Sequence, residues 1–290
     1  MLPFVAAIIQ SDPYLLEIGT PGKVTVQVDQ IVNTTNGRPV SAADVAAAAR
    51  GLRFVYLGES HNSPDHHQMQ ANVIEALVAD GRDVVVGFEQ FTRPVQDSLN
   101  PWTLGWWDEA TFIERSEWKT QWGFDYGLYR PIFESTRKNK LPMVALNVPR
   151  DWVRAVGRGG YTALTPEQKK ELPNDLYLGN ANHKAVFTGL MGGHPMTGPQ
   201  GDNIYSAQVL WDEGMADTAL KYMDRRGASA NTVFVVVAGS GHVMYGQGIN
   251  YRIERRTGQK GITMTMFDGT EPREVSRGLG DFVYMAKPGK

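Results

Sequence analysis

The sequence contains no cysteine, which excludes disulfide bonds, thiolate metal sites and a cysteine nucleophile. It also lacks an excess of charge of either sign, because 29 Lys and Arg residues face 31 Asp and Glu residues for a net charge of −2. No long basic run is present, so a nucleic acid partner is not expected. Apolar runs of roughly 20 residues, the length of a membrane-spanning helix, are also missing. No transmembrane segment is predicted.

The apolar stretch near the start, residues 2–9, lacks a basic leader and is short. It therefore predicts neither an export signal peptide nor a membrane span. A chain of 290 residues that is 42% hydrophobic can bury a sizeable core. We expect one α/β domain over residues 1–290.

Short apolar runs that end at glycine or at a polar residue predict buried parallel strands, and four are present, over residues 54–57, 84–88, 143–146 and 233–238. Between the first two runs, Ser63 is a predicted helix N-cap and apolar residues then recur every four positions to Leu77. The order strand, helix, strand is typical of a βαβ unit. The predicted fold is a mostly parallel central sheet flanked by helices.

Several other segments have predicted structures. Residues 24–32 alternate as a strand or hairpin arm, Ser41 is a second predicted N-cap, and further strands are predicted over residues 262–267 and 282–285. Residues 94–135 are rich in tryptophan and predict an inserted helical subdomain. Residues 183–203, rich in glycine, proline and methionine, predict a flexible loop.

Each of the four core strands leads into a cluster of polar residues: Glu59 and His61, Glu89 and Gln90, Asn147 and Arg150, and Ser240 and His242. Ligands of open parallel sheets bind outside the carboxyl ends of the strands. We therefore expect these clusters to meet in one crevice.

Glu59, His61, Glu89 and His242 together supply two carboxylates and two imidazoles. Such a set can hold a divalent metal ion or perform general acid and base catalysis. A strand-end histidine can also be a hydrogen-bonded structural residue. These four residues are the predicted catalytic and metal-ligating residues.

Two tyrosines are candidate iron ligands. Tyr126 and Tyr129 are three residues apart and so share one helical face, from which either phenolate could reach an iron centre. The tryptophans around them are expected to form core packing for the most part. His194, in the predicted loop, is a further candidate ligand contact.

Polar residues on two other predicted helices complete the set. Gln208 and Asp212 are four residues apart and could either close the crevice or satisfy buried polar groups. Arg150 and Arg154 could bind carboxylates such as propionates, although solvated salt bridges are the commoner use of arginine. The Gly-Ser-Gly segment at Gly239 fits neither a dinucleotide loop nor a serine hydrolase turn, because the further glycines of those motifs are missing.

These motifs, in this order, resemble a known family: Gly58-Glu59-Ser60-His61 with His66 and Gln70, Phe88-Glu89-Gln90-Phe91, Asn147-Val148-Pro149-Arg150, Ala207-Gln208 with Asp212 and Met215-Ala216, and Ala238-Gly239-Ser240-Gly241-His242. Together they look like the ChaN-like haem-binding uptake proteins. That family shares a superfamily with the erythromycin esterase-like, Tiki and TraB proteins. The motifs extend from about residue 52 to residue 252.

The resemblance implies one of two functions. The first is haem binding in bacterial iron uptake, with haem between the subunits of a dimer, tyrosine on iron and histidine near the propionates. The second is metal-dependent hydrolysis, in which strand-end glutamates and histidines hold the ion that activates water. The resemblance also implies a bacterial cell envelope or periplasmic location. Such proteins are commonly lipoproteins, whereas this sequence has no cysteine to carry a lipid. A third possibility from the residues themselves is an interaction module.

Overall fold

Six parallel strands form the central sheet in the computed structural model, which describes residues 12–192 and 197–289. The strands are, in chain order, β1 (Lys23–Val26), β2 (Gln30–Asn33), β3 (Pro39–Val40), β4 (Phe54–Glu59), β5 (Asp83–Thr92), β6 (Met143–Asn147), β7 (Thr232–Gly239), β8 (Ile262–Asp268), β9 (Arg273–Ser276) and β10 (Phe282–Ala286). The sheet has the order β10-β8-β4-β7-β5-β6, and each neighbouring pair is parallel. The predicted parallel sheet is confirmed.

Helices cover both faces of this sheet: α1 (Ala42–Ala48), α2 (Pro64–Ala79), α3 (Asn100–Thr103), α4 (Glu109–Arg115), α5 (Trp118–Gln121), α6 (Tyr126–Lys138), α7 (Arg150–Gly159), α8 (Pro166–Lys170), α9 (Ala181–Leu190), α10 (Gly198–Arg225) and α11 (Ile249–Thr257). Successive strand residues point to opposite faces. Val55 and Leu57 of β4 pack with α1, α2 and α6, whereas Tyr56 packs with α10 and α11. A strand buried on both faces explains the continuous apolar runs in the sequence.

The predicted helix starts are only partly confirmed. Ser41 caps α1, since its hydroxyl accepts a hydrogen bond from the Asp44 amide while the Asp44 carboxylate accepts one from the Ser41 amide. Ser63 occupies the N-cap position of α2 but makes no capping bond with its side chain. Its hydroxyl instead donates to Asp268 at 2.8 Å, which ties the start of α2 to the end of β8.

Two segments differ from their predicted structure. Residues 24–32 form two short strands: β1 pairs with β9, and β2 pairs with β3. The segment 183–203, predicted as a loop, is helical at both ends, where α9 and α10 cover its first and last residues. The apolar stretch 2–9 lies outside the described residues, and within residues 12–192 and 197–289 we find no helix that is both long enough and apolar enough to cross a bilayer.

The tryptophan-rich segment is helical, as predicted, and runs from α3 to α6. Its buried aromatic residues belong to the same apolar cluster as the β5 side chains Val86 and Phe88. Trp102, for example, stacks on Phe112 and donates its indole N–H to the Phe133 carbonyl at 2.9 Å. The segment thus packs as one continuous core with the sheet, and its last helix flanks the strand ends.

Candidate functional site

The polar strand ends converge because β4, β7, β5 and β6 are consecutive neighbours in the sheet. Gly239, at the end of β7, lies between the side chains that follow β4 and those on β5. Its amide donates to Glu89 Oε2 at 2.7 Å. A Cβ atom at this position would lie 2.7 Å from Cε1 of His61, so the close approach requires glycine. The predicted crevice at the carboxyl edge is therefore present.

Glu59 is the centre of a first buried network. Its Oε1 atom lies 2.8 Å from His61 Nδ1 and accepts a bond of 3.1 Å from the Tyr129 hydroxyl, while His67 Nε2 lies 3.6 Å from its Oε2 atom. The Gln90 amide is 3.4 Å from Oε1. Burial raises the pKa of Glu59, but the bonds from His61 and His67 outweigh it and bring the pKa to about 2. Glu59 is thus a carboxylate at neutral pH.

This network orients the imidazole of His61. Because a carboxylate can only accept, Nδ1 of His61 carries a proton toward Glu59. Nε2 has no hydrogen-bond partner within the described residues, and the side chain is 34% exposed while that of Glu59 is fully buried. The rings of Trp122 and Phe124 lie 4.7 and 5.5 Å from the imidazole. A histidine whose other nitrogen is bonded to a carboxylate is the usual arrangement of a metal-ligating imidazole.

His242 is the centre of a second network. Its Nδ1 atom lies 2.5 Å from Asp212 Oδ1, and its Nε2 atom lies 3.2 Å from Glu89 Oε1. The Gln208 amide is 3.1 Å from the same Nδ1 atom. Burial lowers the pKa of His242, but the charges of Glu89 and Asp212 prevail and raise it to about 10. His242 is therefore an imidazolium held between two carboxylates.

The second network continues away from the crevice. Asp212 Oδ2 lies 2.8 Å from His183 Nε2, and His183 Nδ1 lies 3.0 Å from the Tyr205 hydroxyl. Arg252 Nη1 lies 3.6 Å from Asp212 Oδ2. Burial raises the pKa of Asp212, yet Arg252 and His242 hold it well below its usual range. Asp212 is thus a carboxylate that stabilises the protonated imidazole of His242.

The crevice itself is a cavity of about 450 Å³, within the roughly 300–1,000 Å³ typical of ligand pockets. Charged and aromatic side chains line it together: His61, Glu89, Trp122, Phe124, Asn147, Arg150, Val153, Arg154, Trp211 and His242. Asn147 donates to the Glu89 carbonyl at 3.1 Å, and its buried Oδ1 atom has no partner within the described residues. Arg150 bonds to the Gln121 carbonyl and lies 5.9 Å from the Trp122 ring.

Several predicted site residues lie elsewhere. Tyr126 and Tyr129 are buried in the aromatic core and do not line the crevice. Burial raises the pKa of both phenols far above the usual value, which disfavours a phenolate ligand. Gln90, Gln208 and Asp212 do not line the crevice: Gln90 bonds to Glu59, Asp212 bonds to His242, and the Gln208 amide lies 3.1 Å from the same imidazole. His194 lies outside the described residues.

The predicted metal site is not supported. No group of three or more histidine and acidic side chains in the described ranges has an arrangement that could hold a metal ion. The reason lies in the pairing. Glu59 bonds to His61 and Glu89 bonds to His242, so the four expected ligands are engaged in two pairs.

Some residues of the site were not predicted as such. Trp122, Phe124 and Trp211 line the crevice, although tryptophans were expected mainly in the core. His67, His183 and Arg252 support the two networks from buried positions. The position of Trp211 near the site could have been predicted from the sequence, because it is adjacent to the predicted site residue Asp212. The sequence does not indicate the roles of His183 and Arg252, because their contacts join segments that are far apart in the chain.

Comparisons with known proteins agree with this architecture. The structure of ChaN of Campylobacter jejuni, described as showing cofacial heme binding, has a TM-score of 0.66 at 18% identity, covering 88% of this chain and 95% of that one. An erythromycin esterase, EreC, in its open conformation has a TM-score of 0.49 at 12% identity, covering 84% of this chain and 77% of that one, and is too distant to inform the site.

A curated relative from Arabidopsis thaliana, the chloroplastic protein RETICULATA-RELATED 5, is 25% identical over 257 residues. The match covers 80% of this chain but only 34% of the relative, so the chain spans about a third of that protein's length. The model of the family described as haem-binding uptake, Tiki superfamily, ChaN matches residues 45–253, which contain all four polar strand ends. The chain belongs to this ChaN family of the Tiki superfamily.

Proposed function

We propose that this protein binds haem in the crevice, where Nε2 of His61 would hold the iron. The observation that carries the proposal is the orientation of His61: Nδ1 is bonded to the Glu59 carboxylate, and Nε2 has no partner within the described residues. The hydrogen bond to Glu59 makes the imidazole a stronger ligand and holds the ring in place. When bound, haem would supply a redox-active iron whose properties depend on the protein groups that hold it.

The other lining residues fit the same group. Trp122, Phe124 and Trp211 provide flat apolar surface for a macrocycle. Arg154 is exposed at the cavity, so its guanidinium can bind a propionate carboxylate in the bidentate manner, and Arg150, which bonds to the Gln121 carbonyl, adds a second positive charge. We also propose that the protein is a carrier in bacterial haem uptake and that it is located in the cell envelope. A haem carrier would need an open site of this kind.

A titration with haemin tests the proposal. We expect a saturable Soret shift with wild type, a loss of about tenfold or more in affinity with His61→Gly, and recovery of the wild-type spectrum when free imidazole is added to that variant. Tyr126→Phe is the matched control, because the hydroxyl it removes is buried and lies outside the crevice. Loss of binding in Tyr126→Phe with no effect of His61→Gly would assign the iron to tyrosine and overturn the proposal.

We extend the proposal to a haem-bound dimer, as the family resemblance implies. Phe124 and Leu190 are 38% and 41% exposed, and both lie beside the site, Phe124 in the crevice wall and Leu190 against Gly241. Exposed apolar side chains at the mouth of a pocket are suited to a contact with a second copy. Sedimentation velocity with and without haemin tests this, and a monomer in both samples would contradict it.

Hydrolysis receives less support from the site. A general base must be unprotonated near neutral pH, and both neighbouring carboxylates keep His242 protonated. Within residues 12–192 and 197–289, no group of three or more histidine and acidic side chains could hold the metal ion that metal-dependent hydrolysis requires. Haem binding is therefore the function that the geometry supports best.

A further inference from the structure

A second cavity, of about 850 Å³, lies beside the edge strand β6. Its walls come from β6, from the turn that follows β5, from the end of α8 and from the last two turns of α10. It shares no lining residue with the crevice. We call it the edge groove.

The edge groove is strongly basic. One acidic residue, Glu171, and five cationic residues line it: Arg93, Lys170, Lys221, Arg225 and Arg226. Cations at the end of a helix are expected from the helix dipole, which accounts for those on α10. Lys170 likewise lies in the last turn of α8, whereas Arg93 follows β5 and lies at no helix C-terminus.

Arg93 is held rigidly at this groove. Its Nε atom donates to Thr218 Oγ1 at 2.8 Å and its Nη2 atom to the Gly214 carbonyl at 2.9 Å, while Asp217 Oδ2 lies 3.6 Å away. Its Nη1 atom donates to the Glu171 carbonyl at 3.1 Å, so all three guanidinium nitrogens are engaged and the group is a fixed positive charge in the wall. Burial lowers the pKa of Arg93, but an arginine remains charged at neutral pH.

The other cations differ in their pairing. Lys221 lies 2.8 Å from Asp217, and Arg226 lies 2.8 Å from Asp83. Lys170 and Arg225 are exposed and form no ion pair with the acidic side chains in the described part of the chain. The edge groove thus keeps two cations available for a ligand.

The rest of the edge groove excludes an extended peptide that adds to the sheet. The Gln96 side chain donates to the Met143 carbonyl at 2.9 Å and accepts from the Ala145 amide at 2.8 Å, which occupies the open edge of β6. The side chains of Val144 and Ala145 are buried, and the half-buried Tyr222 is the aromatic residue of the lining. The space therefore suits a small molecule with an anionic end and an apolar or aromatic part.

We infer that the edge groove binds a phosphate-bearing small molecule, with Lys170 and Arg225 as its phosphate contacts and Arg93 as a fixed positive charge in the wall. Guanidinium groups match phosphate oxygens in geometry and charge, and lysine adds a mobile point charge. The volume leaves room for an organic group beyond the phosphate. This inference does not depend on haem binding.

Calorimetric titration of the full chain with inorganic pyrophosphate tests the inference. We expect saturable binding to wild type and a loss of about tenfold or more in affinity for the double variant Lys170→Gln with Arg225→Gln, since it removes both cations that contact the phosphate. The control is Arg38→Gln with Lys287→Gln. It removes the same charge from exposed positions near the opposite edge of the sheet, and we expect its affinity to stay within twofold of wild type.

Three results would overturn the inference. The first is the absence of saturable binding to wild type. The second is an equal loss in both double variants, which would show a general effect of net charge. The third is binding of citrate as tight as that of pyrophosphate, which would replace phosphate by carboxylate as the recognised group. A Soret titration of the Lys170 and Arg225 variant should remain unchanged, because neither residue lines the crevice.

Discussion

The imidazole of His242 and the carboxylate of Asp212 form a buried ion pair in which Nδ1 and Oδ1 are 2.5 Å apart. The opposite nitrogen of the same ring faces Glu89, which follows from the parallel order of β7 and β5. A charge buried in this way depends on its partners, because water no longer solvates it.

The first prediction concerns removal of one partner. Asp212→Asn should destabilise the protein by about 3–5 kcal/mol, since it leaves His242 and Arg252 with less negative charge in a buried site. The free energy of unfolding in urea measures the loss. Asp83→Asn is the control. It removes the carboxylate of the partly exposed ion pair with Arg226, and it should lower the free energy of unfolding by at most about 1 kcal/mol. Equal losses in the two variants would contradict a special role of the buried pair.

The second prediction concerns pH. The pKa of His242 is raised from 6.5 to about 10, so its contribution to stability is complete below pH 6.5 and is lost as the pH rises toward 10. The difference in unfolding free energy between wild type and His242→Gln should therefore shrink steadily over this range. Urea titrations at pH 6, 8 and 10 give the difference directly. A constant difference would indicate that His242 is neutral in the folded protein.

The third prediction concerns the glycine between the two networks. Gly239→Ala places a Cβ atom 2.7 Å from His61 Cε1, so the imidazole must move, and we expect a cost of about 1–3 kcal/mol together with weaker haemin binding. Gly157→Ala is the control. Its Cβ would meet Ala207 at an ordinary 3.6 Å within α7, where alanine should stabilise the helix by up to about 1 kcal/mol. A Gly239→Ala variant as stable as wild type would contradict the close approach.

The fourth prediction compares two tyrosines on α6. Tyr129→Phe removes a hydroxyl that donates to Glu59 and accepts from the Trp122 indole at 2.8 Å, so we expect a loss of about 1–3 kcal/mol. The buried hydroxyl of Tyr126 has no partner within the described residues, and Tyr126→Phe should be neutral or stabilising. Thermal and urea unfolding measure both. The reverse ranking would show that the Glu59 network is not formed as described.

Part of the site could be predicted because of a general property of parallel sheets. β4 and β7 are continuous apolar runs in the sequence. In a parallel sheet, the residues that end such strands lie at the same carboxyl edge. The positions of Glu59, His61 and His242 at strand ends are therefore sufficient to predict that these residues lie together. The same reasoning could not say which acidic residue pairs with which histidine, because pairing depends on strand order and on side-chain rotamers.

The two candidate tyrosine ligands show what the spacing of residues in the sequence could not predict. Tyr126 and Tyr129 do share a helical face, as their spacing predicted, but that face packs against the core. A spacing of three residues fixes the relative direction of two side chains and leaves open what the helix faces. Only the packing of α6 against α2, and of both tyrosine rings against Trp118, decides that these phenols are buried.

The sequence alone determined the parallel strands, their polar ends and the family, because each of these depends on local runs of apolar residues and on motif order. The tertiary structure decided the strand order β4-β7-β5-β6, and with it the two separate networks of Glu59 with His61 and of Glu89 with His242. It also placed Asp212 of α10 behind His242, a contact between residues 30 positions apart in the chain. Such contacts depend on how whole elements pack, and the local pattern that forms each element does not specify them.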